Sequence, residues 1–252
     1  MWDQAAVTQY EEWFETRSGK FALQSELKLL DRCLSSWPRR SQTLLEVGCG
    51  PGIFLKYFFE AGFDTTGLDA SPAMLEAARR RMGSKADLRL GQADHLPFQD
   101  KEFDFVALLT VLEFGSSSED RERILQEARR VARKGLIITY LNKMSLYYLG
   151  HGIPVFRKDS SSLRRAKWFT PFGMRFLLHR AVGQYPIFSR CVLHGPCFSW
   201  RPSIPWRQFN QFLALPVFGA YCAARVDLVG DTPLTPLYVK SRRNVGGEPQ
   251  PL

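Results

Sequence analysis

The segment Leu-Leu-Glu-Val-Gly-Cys-Gly-Pro-Gly, residues 44–52, carries the strongest chemical signal in the chain. Gly48, Gly50 and Gly52 alternate with other residues, so the backbone can turn tightly and a ligand can approach without meeting a Cβ. An apolar stretch precedes the glycines and a helical pattern follows. The start of that helix offers unpaired N–H groups and a positive dipole end. The spacing excludes two other nucleotide loops. A dinucleotide GxGxxG turn needs glycine at position 53, where Ile53 stands, and a phosphate loop needs Gly-Lys-Ser/Thr. Asp69 follows Gly50 by 19 residues, at the end of the next strand pattern. A carboxylate there can accept both hydroxyl hydrogens of a ribose diol through charge-assisted bonds. That pair alone also fits a nicotinamide dinucleotide. Asp94, within Ala93-Asp94-His95-Leu96-Pro97-Phe98, is placed to accept from an exocyclic adenine amine.

These residues need a sheet edge to hold them. Between 43 and 140, short apolar runs alternate with helical patterns, the signature of βαβ units. Strands are predicted over 43–47, 63–68, 88–90, 103–109 and 136–140. A helix over 53–61 ends at Gly62. Another is capped by Ser71, starts at Pro72 and ends at Gly83. A third is capped by Ser118, carries Arg129, Arg130 and Arg133 in its last turn and is closed by Gly135. Short right-handed connections make this a doubly wound α/β sheet. Upstream, Leu23, Leu27, Leu30 and Leu34 mark an amphipathic helix, and Tyr10, Trp13 and Phe14 a shorter one. Downstream, 141–167 reads as a loop or lid, 170–180 as a helix and 186–193 as a strand. Residues 218–227 fit strand or helix. The whole is expected to be one domain over 1–252: a helical cap at 1–36, a cofactor core at 40–140, a lid and last strands at 141–230, and a fraying tail at 231–252.

Composition narrows the class. The chain has 252 residues, is 45% hydrophobic and 23% charged, and carries a net charge of +9. Such a surplus suggests nucleic acid or an anionic surface, but it is unevenly placed. Residues 141–252 hold 15 of the 34 Lys and Arg and only 4 of the 25 Asp and Glu. No apolar run reaches the roughly 18–20 residues of a bilayer span. The acidic start is not that of a signal peptide. The 5 Cys include no CxxC pair. Neither a metal site nor a disulfide framework is expected, and reduced thiols in the cytoplasm fit this usage.

Together the motifs LLEVGCGPG (44–52), GLDASPAML (67–75), GQADHLPF (91–98) and FDFVALLTVLEF (103–114) resemble the class I S-adenosylmethionine-dependent methyltransferases. The likeness is greatest to the small-molecule, methyltransferase type 11 group that includes the quinone-biosynthesis enzymes. It extends over about residues 8–195, with EEWFETRSGK (11–20) similar to the family's N-terminal cap and KWFTP (167–171) to the helix before its sixth strand. It implies a seven-stranded Rossmann-like sheet with its last strand antiparallel, an N-terminal helical cap and a C-terminal lid. The implied cofactor is S-adenosyl-L-methionine, leaving as S-adenosyl-L-homocysteine. On this resemblance Gly48, Gly50 and Gly52 cradle the methionine moiety, with Cys49 packed beside them. Glu46 faces the amino end and Thr110 lies alongside. Asp69 binds the ribose, and Ala70 and Met74 sit by the adenine. Asp94 takes the adenine amine between Ala93 and His95, and Tyr10 and Phe14 close over the cofactor. Two departures stand out: Phe114 replaces the His of many relatives, and Arg133-Lys134-Gly135 replaces Pro-Gly-Gly.

The implied reaction aligns a nucleophile with an electrophilic methyl and excludes water, so no triad or metal cluster is needed. His151, Tyr147 and His194 are the candidates for a catalytic group, and Asn142, Ser145, Arg164 and Arg165 for acceptor binding. The basic C-terminal part is read first as a lid over an anionic or amphiphilic acceptor. Its aromatic residues at 195–217 also suit a peripheral membrane contact. Nucleic acid is disfavoured because no RNA-binding module is visible. A non-catalytic cofactor-binding protein of this fold, at a membrane surface or on RNA, is the alternative. The sequence does not fix the oligomeric state.

Overall fold

A computed structural model of the chain describes residues 3–151, 153, 166–211 and 217–229. Arg164, Arg165, Phe212 and the tail beyond 229 lie outside the described residues. Seven strands form one sheet in the order β3-β2-β1-β4-β5-β7-β6. They are β1 (Thr43–Val47), β2 (Asp64–Asp69), β3 (Ala86–Leu90), β4 (Phe103–Leu109), β5 (Ala132–Leu141), β6 (Ile187–Val192) and β7 (Tyr221–Asp227). The first five run parallel, and β7 runs antiparallel to both β5 and β6. Residues 218–227, open between helix and strand in the sequence, therefore form the last strand. It slots between two others, which is why it is apolar on both faces. β4 is buried along its whole length, as a central parallel strand must be.

The helices are α1 (Gln4–Glu15), α2 (Arg17–Leu34), α3 (Ile53–Glu60), α4 (Pro72–Met82), α5 (Ser118–Val131), α6 (Leu146–His151), α7 (Pro171–Ala181) and α8 (Trp206–Asn210). Ser71 caps α4 by accepting from Met74 N. α5 is capped one residue earlier than expected. Ser117 accepts from Asp120 N, and the Asp120 carboxylate accepts from Ser117 N. Its end also differs. α5 stops at Val131, and Arg133 and Gly135 belong to β5. Gly135 is a packing glycine, because a Cβ there would lie 2.6 Å from the Trp37 ring. The stripe of α2 is rotated from the predicted one. Phe21, Ala22, Ser25, Glu26, Leu29, Leu30, Cys33 and Leu34 are buried, and Leu23 and Leu27 only partly. Facing both α1 and the sheet widens the buried face.

Reduced thiols were expected throughout, yet Cys191 and Cys222 are disulfide-bonded. They occupy facing positions on β6 and β7, a proximity that sequence spacing does not reveal. Cys33 and Cys49 are free and buried. No helix among the described residues is long and apolar enough to cross a membrane.

Candidate functional site

The sheet order reverses between β1 and β4, which opens a crevice at the carboxyl ends of these strands. The glycine turn fills its rim. Gly48, Gly50 and Gly52 have φ of 70°, 52° and 77°, in the left-handed region that L side chains avoid. A Cβ on Gly48 would lie 2.7 Å from Val111. Gly48 N and Cys49 N both donate to Leu68 O, at 2.7 and 3.0 Å, tying the turn to β2. The Cys49 side chain packs in the small core with Leu55, Leu75 and Met82.

Asp69 latches the turn to the neighbouring loop. Its Oδ2 accepts from Gly50 N and its Oδ1 from Ser71 N, each at 2.8 Å. Burial raises its pKa against the lowering effect of these backbone N–H groups. Ala70 is exposed beside it. Glu46, on β1, is 1% exposed, and its Oε2 has no hydrogen-bond partner among the described residues. Burial, and then the nearby Asp69 charge, push its pKa well above the usual carboxylate range. A buried carboxyl with an open oxygen calls for a cationic or hydrogen-donating ligand. Thr110 follows β4 with φ of 54°, rare for a β-branched residue. It is held there by its N–H, which donates to Thr139 Oγ1 at 3.1 Å. Strain at a strand's carboxyl end fits a ligand-facing position.

The adenine-side candidates sit on the turn after β3. Ala93 is half-buried, and Asp94 and His95 are exposed. Arg130 fixes this loop by donating to Leu96 O and Phe98 O at 3.0 and 2.8 Å. Arg81 pairs with Glu11 of α1 at 2.6 Å and donates to Pro51 O, clamping the cap onto the glycine turn. Beneath that clamp Val7 packs on Met74 and Ala77, and the Tyr10 ring stands edge-on to Phe14 at 5.2 Å.

Beyond β5 the predicted residues divide. Asn142 and Ser145 were expected to touch the acceptor, but both are buried and spend their polar atoms on backbone. Asn142 Nδ2 donates to Val217 O and Gly219 O, and its Oδ1 accepts from Met144 N. Ser145 Oγ donates to Asn142 O and accepts from Tyr148 N. They shape the turn into α6. His151 is exposed and stacks on Tyr147 at 4.2 Å. His194 is buried at a cleft of about 260 Å³ with Met144, Leu146, Phe209 and Phe218, whose lining includes none of the glycine turn. Tyr147 is buried against Trp200 at 4.6 Å and Trp168 at 5.8 Å.

Three buried polar residues were missed. Glu113 is 1% exposed. Its Oε1 accepts from Leu141 N at 2.7 Å, and its Oε2 has no partner among the described residues. Burial raises its pKa to about 8. Tyr221 shares a 2.8 Å hydrogen bond with Thr139. Glu26, on α2, is buried and its pKa is pushed up to about 8 by that burial. Its sequence signal was available: an acid on the apolar stripe of an amphipathic helix. Tyr221 and Glu113 left no such mark.

Comparison with known proteins agrees with the geometry. Residues 45–139 match the model of a methyltransferase domain. An uncharacterized protein of Methanocaldococcus jannaschii is 35% identical over 127 residues, half of this chain and 54% of that protein. The malonyl-[acyl-carrier protein] O-methyltransferase of Serratia marcescens is 34% identical over 39% of this chain and 37% of its own length. The matches thus span about half or less of these curated relatives. Among solved structures, a Thermotoga maritima SAM-dependent methyltransferase, described as a possible histamine N-methyltransferase, superposes with a TM-score of 0.69. It is 25% identical, over 90% of this chain and 99% of that one.

Proposed function

We propose that this chain, which carries a class I S-adenosylmethionine-dependent methyltransferase domain, moves a methyl group from S-adenosylmethionine to a small-molecule acceptor. The observation that carries the reading is one crevice shared by the left-handed glycine turn, the latched Asp69 and the open oxygen of buried Glu46. These groups fit the cofactor. The glycines leave room that a Cβ would fill, and Glu46 offers a carboxylate to an ammonium. When bound, the cofactor supplies an electrophilic methyl on its sulfonium.

The chain's own work is to bind, orient and exclude water. Asp69 would accept from the ribose hydroxyls while keeping the glycine turn in place. Asp94 would accept from the adenine amine at the edge of the loop that Arg130 fixes. The clamp from Arg81 to Glu11 holds α1 against the glycine turn. A hydrolase-coupled assay of S-adenosylhomocysteine release, run across acceptors of differing charge, tests the reading. Turnover that Asp69→Ala abolishes supports it. Tight cofactor binding with no turnover on any acceptor would favour a non-enzymatic binding protein.

A second reading concerns where the acceptor is met. Phe198, Ile204, Phe209 and Phe218 are exposed near Arg201 and Arg207, an apolar and basic surface suited to an anionic bilayer. Flotation with phosphatidylserine vesicles should carry the chain, and phosphatidylcholine vesicles should not. Equal behaviour with both would remove this reading.

A further inference from the structure

The segment just beyond β4 is tied down on two sides, yet one buried oxygen in it is left open. Thr110 and Val111 lead from β4 into a short 3-10 turn, Leu112–Phe114. Val111 lies against the glycine turn, since a Cβ on Gly48 would stand 2.7 Å from it. Two residues on, Glu113 reaches the end of β5, where its Oε1 accepts from Leu141 N at 2.7 Å. Its main-chain oxygen accepts from Lys167 N at 2.8 Å. Lys167 belongs to a strap, residues 166–169, that runs beside the end of β5. Phe169 N donates to Leu141 O at 3.0 Å, and Lys143 N to Phe169 O at 2.8 Å. Glu113 is therefore the point where the ends of β4 and β5 meet the strap, on the sheet edge that also carries the glycine turn. Its Oε2 is buried with no partner among the described residues, and the same holds for Nε1 of Trp168 on the strap. Buried polar atoms are paired in folded proteins, so two open ones on joined segments call for a ligand.

Each has a hydrogen to give. An indole N–H only donates. Oε1 of Glu113 is taken by the Leu141 N–H, so a proton on this carboxyl sits on Oε2. Burial keeps it there to about pH 8, against the lowering effects of the N–H groups of Leu141 and Glu113 itself and of the Arg121 charge. Arg121 of α5 donates to Leu112 O and Gly115 O, at 3.1 and 2.6 Å, on either side of Glu113. Tyr140 of β5 and Tyr221 of β7 also feel the Glu113 charge, and burial holds their phenols protonated. The Lys167 side chain is exposed on the strap. A neutral acid, an N–H and a guanidinium are partners for an anion, not for a cation. We infer that Glu113 Oε2 and Trp168 Nε1 hold a carboxylate carried by the methyl acceptor. The inference rests on the methyltransferase reading and deepens it. An O–H donating to a carboxylate makes one of the strong, charge-assisted bonds. The rings of Tyr147 and Tyr148, 5.8 and 5.2 Å from that of Trp168, suit an aromatic body beside the carboxylate.

The test uses the full chain saturated with S-adenosylhomocysteine, its loading first confirmed by titration calorimetry. The probes are 3-phenylpropanoate, the uncharged 3-phenylpropan-1-ol and the cationic phenethylamine. The carboxylate should raise Tm and the other two should not. Its affinity should fall about tenfold from pH 6.5 to pH 9, as Glu113 ionises and repels it. Glu113→Gln keeps an oxygen for Leu141 N and puts N–H groups in place of Oε2. It should bind the carboxylate as the unaltered chain does at pH 6.5 and hold that affinity at pH 9, a change that a purely structural Glu113 would not produce. Trp168→Phe should weaken binding about fivefold. No response to the carboxylate, an equal response to the amine or the alcohol, or the same pH dependence in Glu113→Gln overturns the assignment while leaving the methyltransferase reading intact. Failure of S-adenosylhomocysteine to bind defeats both.

Discussion

The two walls of the crevice are built differently. On the cofactor side, β1, β2 and their loops follow one another in the chain, and backbone groups do most of the holding. Glycine amides, Asp69 and the carbonyl of Leu68 lock one another. On the other side, beyond β5, Thr139, Asn142 and Tyr221 are held by bonds between segments far apart in the chain, and only the folded sheet joins them. The first wall is rigid and local, so its chemistry is written in contiguous motifs. The second is assembled from distant side chains, so no contiguous motif spells it out.

The largest expected effect falls on the second wall. Cys191 and Cys222 close a loop with a sequence separation of 31, and opening it by Cys191→Ala with Cys222→Ala should remove about 3–4 kcal/mol of stability. Thermal unfolding with and without reductant checks this, and cofactor affinity of the folded variant should change less than twofold. An equal loss of cofactor binding would mean that the walls are not independent. Next, Asp69→Ala should weaken S-adenosylhomocysteine binding by about 1.5–3 kcal/mol through lost charged hydrogen bonds, roughly 10–150-fold. Unchanged affinity would remove the ribose assignment. Gly48→Ala should cost about 1–2 kcal/mol of stability from its left-handed backbone, with a further penalty from the Val111 contact. An unchanged denaturation midpoint would show that the turn relaxes.

The last effect is in pH. Glu26 and Glu113 keep their protons to about pH 8 in the folded chain, against an ordinary value of 4.5. The unfolded chain loses those protons first. Their contribution is therefore complete below about 4.5 and drains as pH rises through about 8. Tm should fall between pH 6 and 9, and fall less in Glu26→Gln. A Tm that rises over this range would contradict their burial.

The same division explains what the sequence disclosed. The limits of β1 and β4, the Ser71 cap of α4 and the positions of the glycines and Asp69 follow from local rules: periodicity, capping and the steric freedom of glycine. The start of α5 was missed by one residue because Ser117 and Ser118 are equally good caps, and only the reciprocal bond with Asp120 chooses between them. Asn142 looked like a recognition residue because its type is polar. Its partners, the carbonyls of Val217 and Gly219, lie far along the chain and are visible only after β7 folds against β5. The Cys191–Cys222 pairing and the Thr139–Tyr221 bond were hidden for the same reason.

The most direct test of the central claim is calorimetric titration of S-adenosylhomocysteine into the intact chain, in two buffers of different ionisation heat. Burial holds the Glu46 pKa well above the usual carboxylate range in the free chain, and an ammonium arriving beside it favours the ionised form. The account predicts saturable one-to-one binding with proton release, tighter as pH rises. No binding heat, or proton uptake on binding, would contradict it.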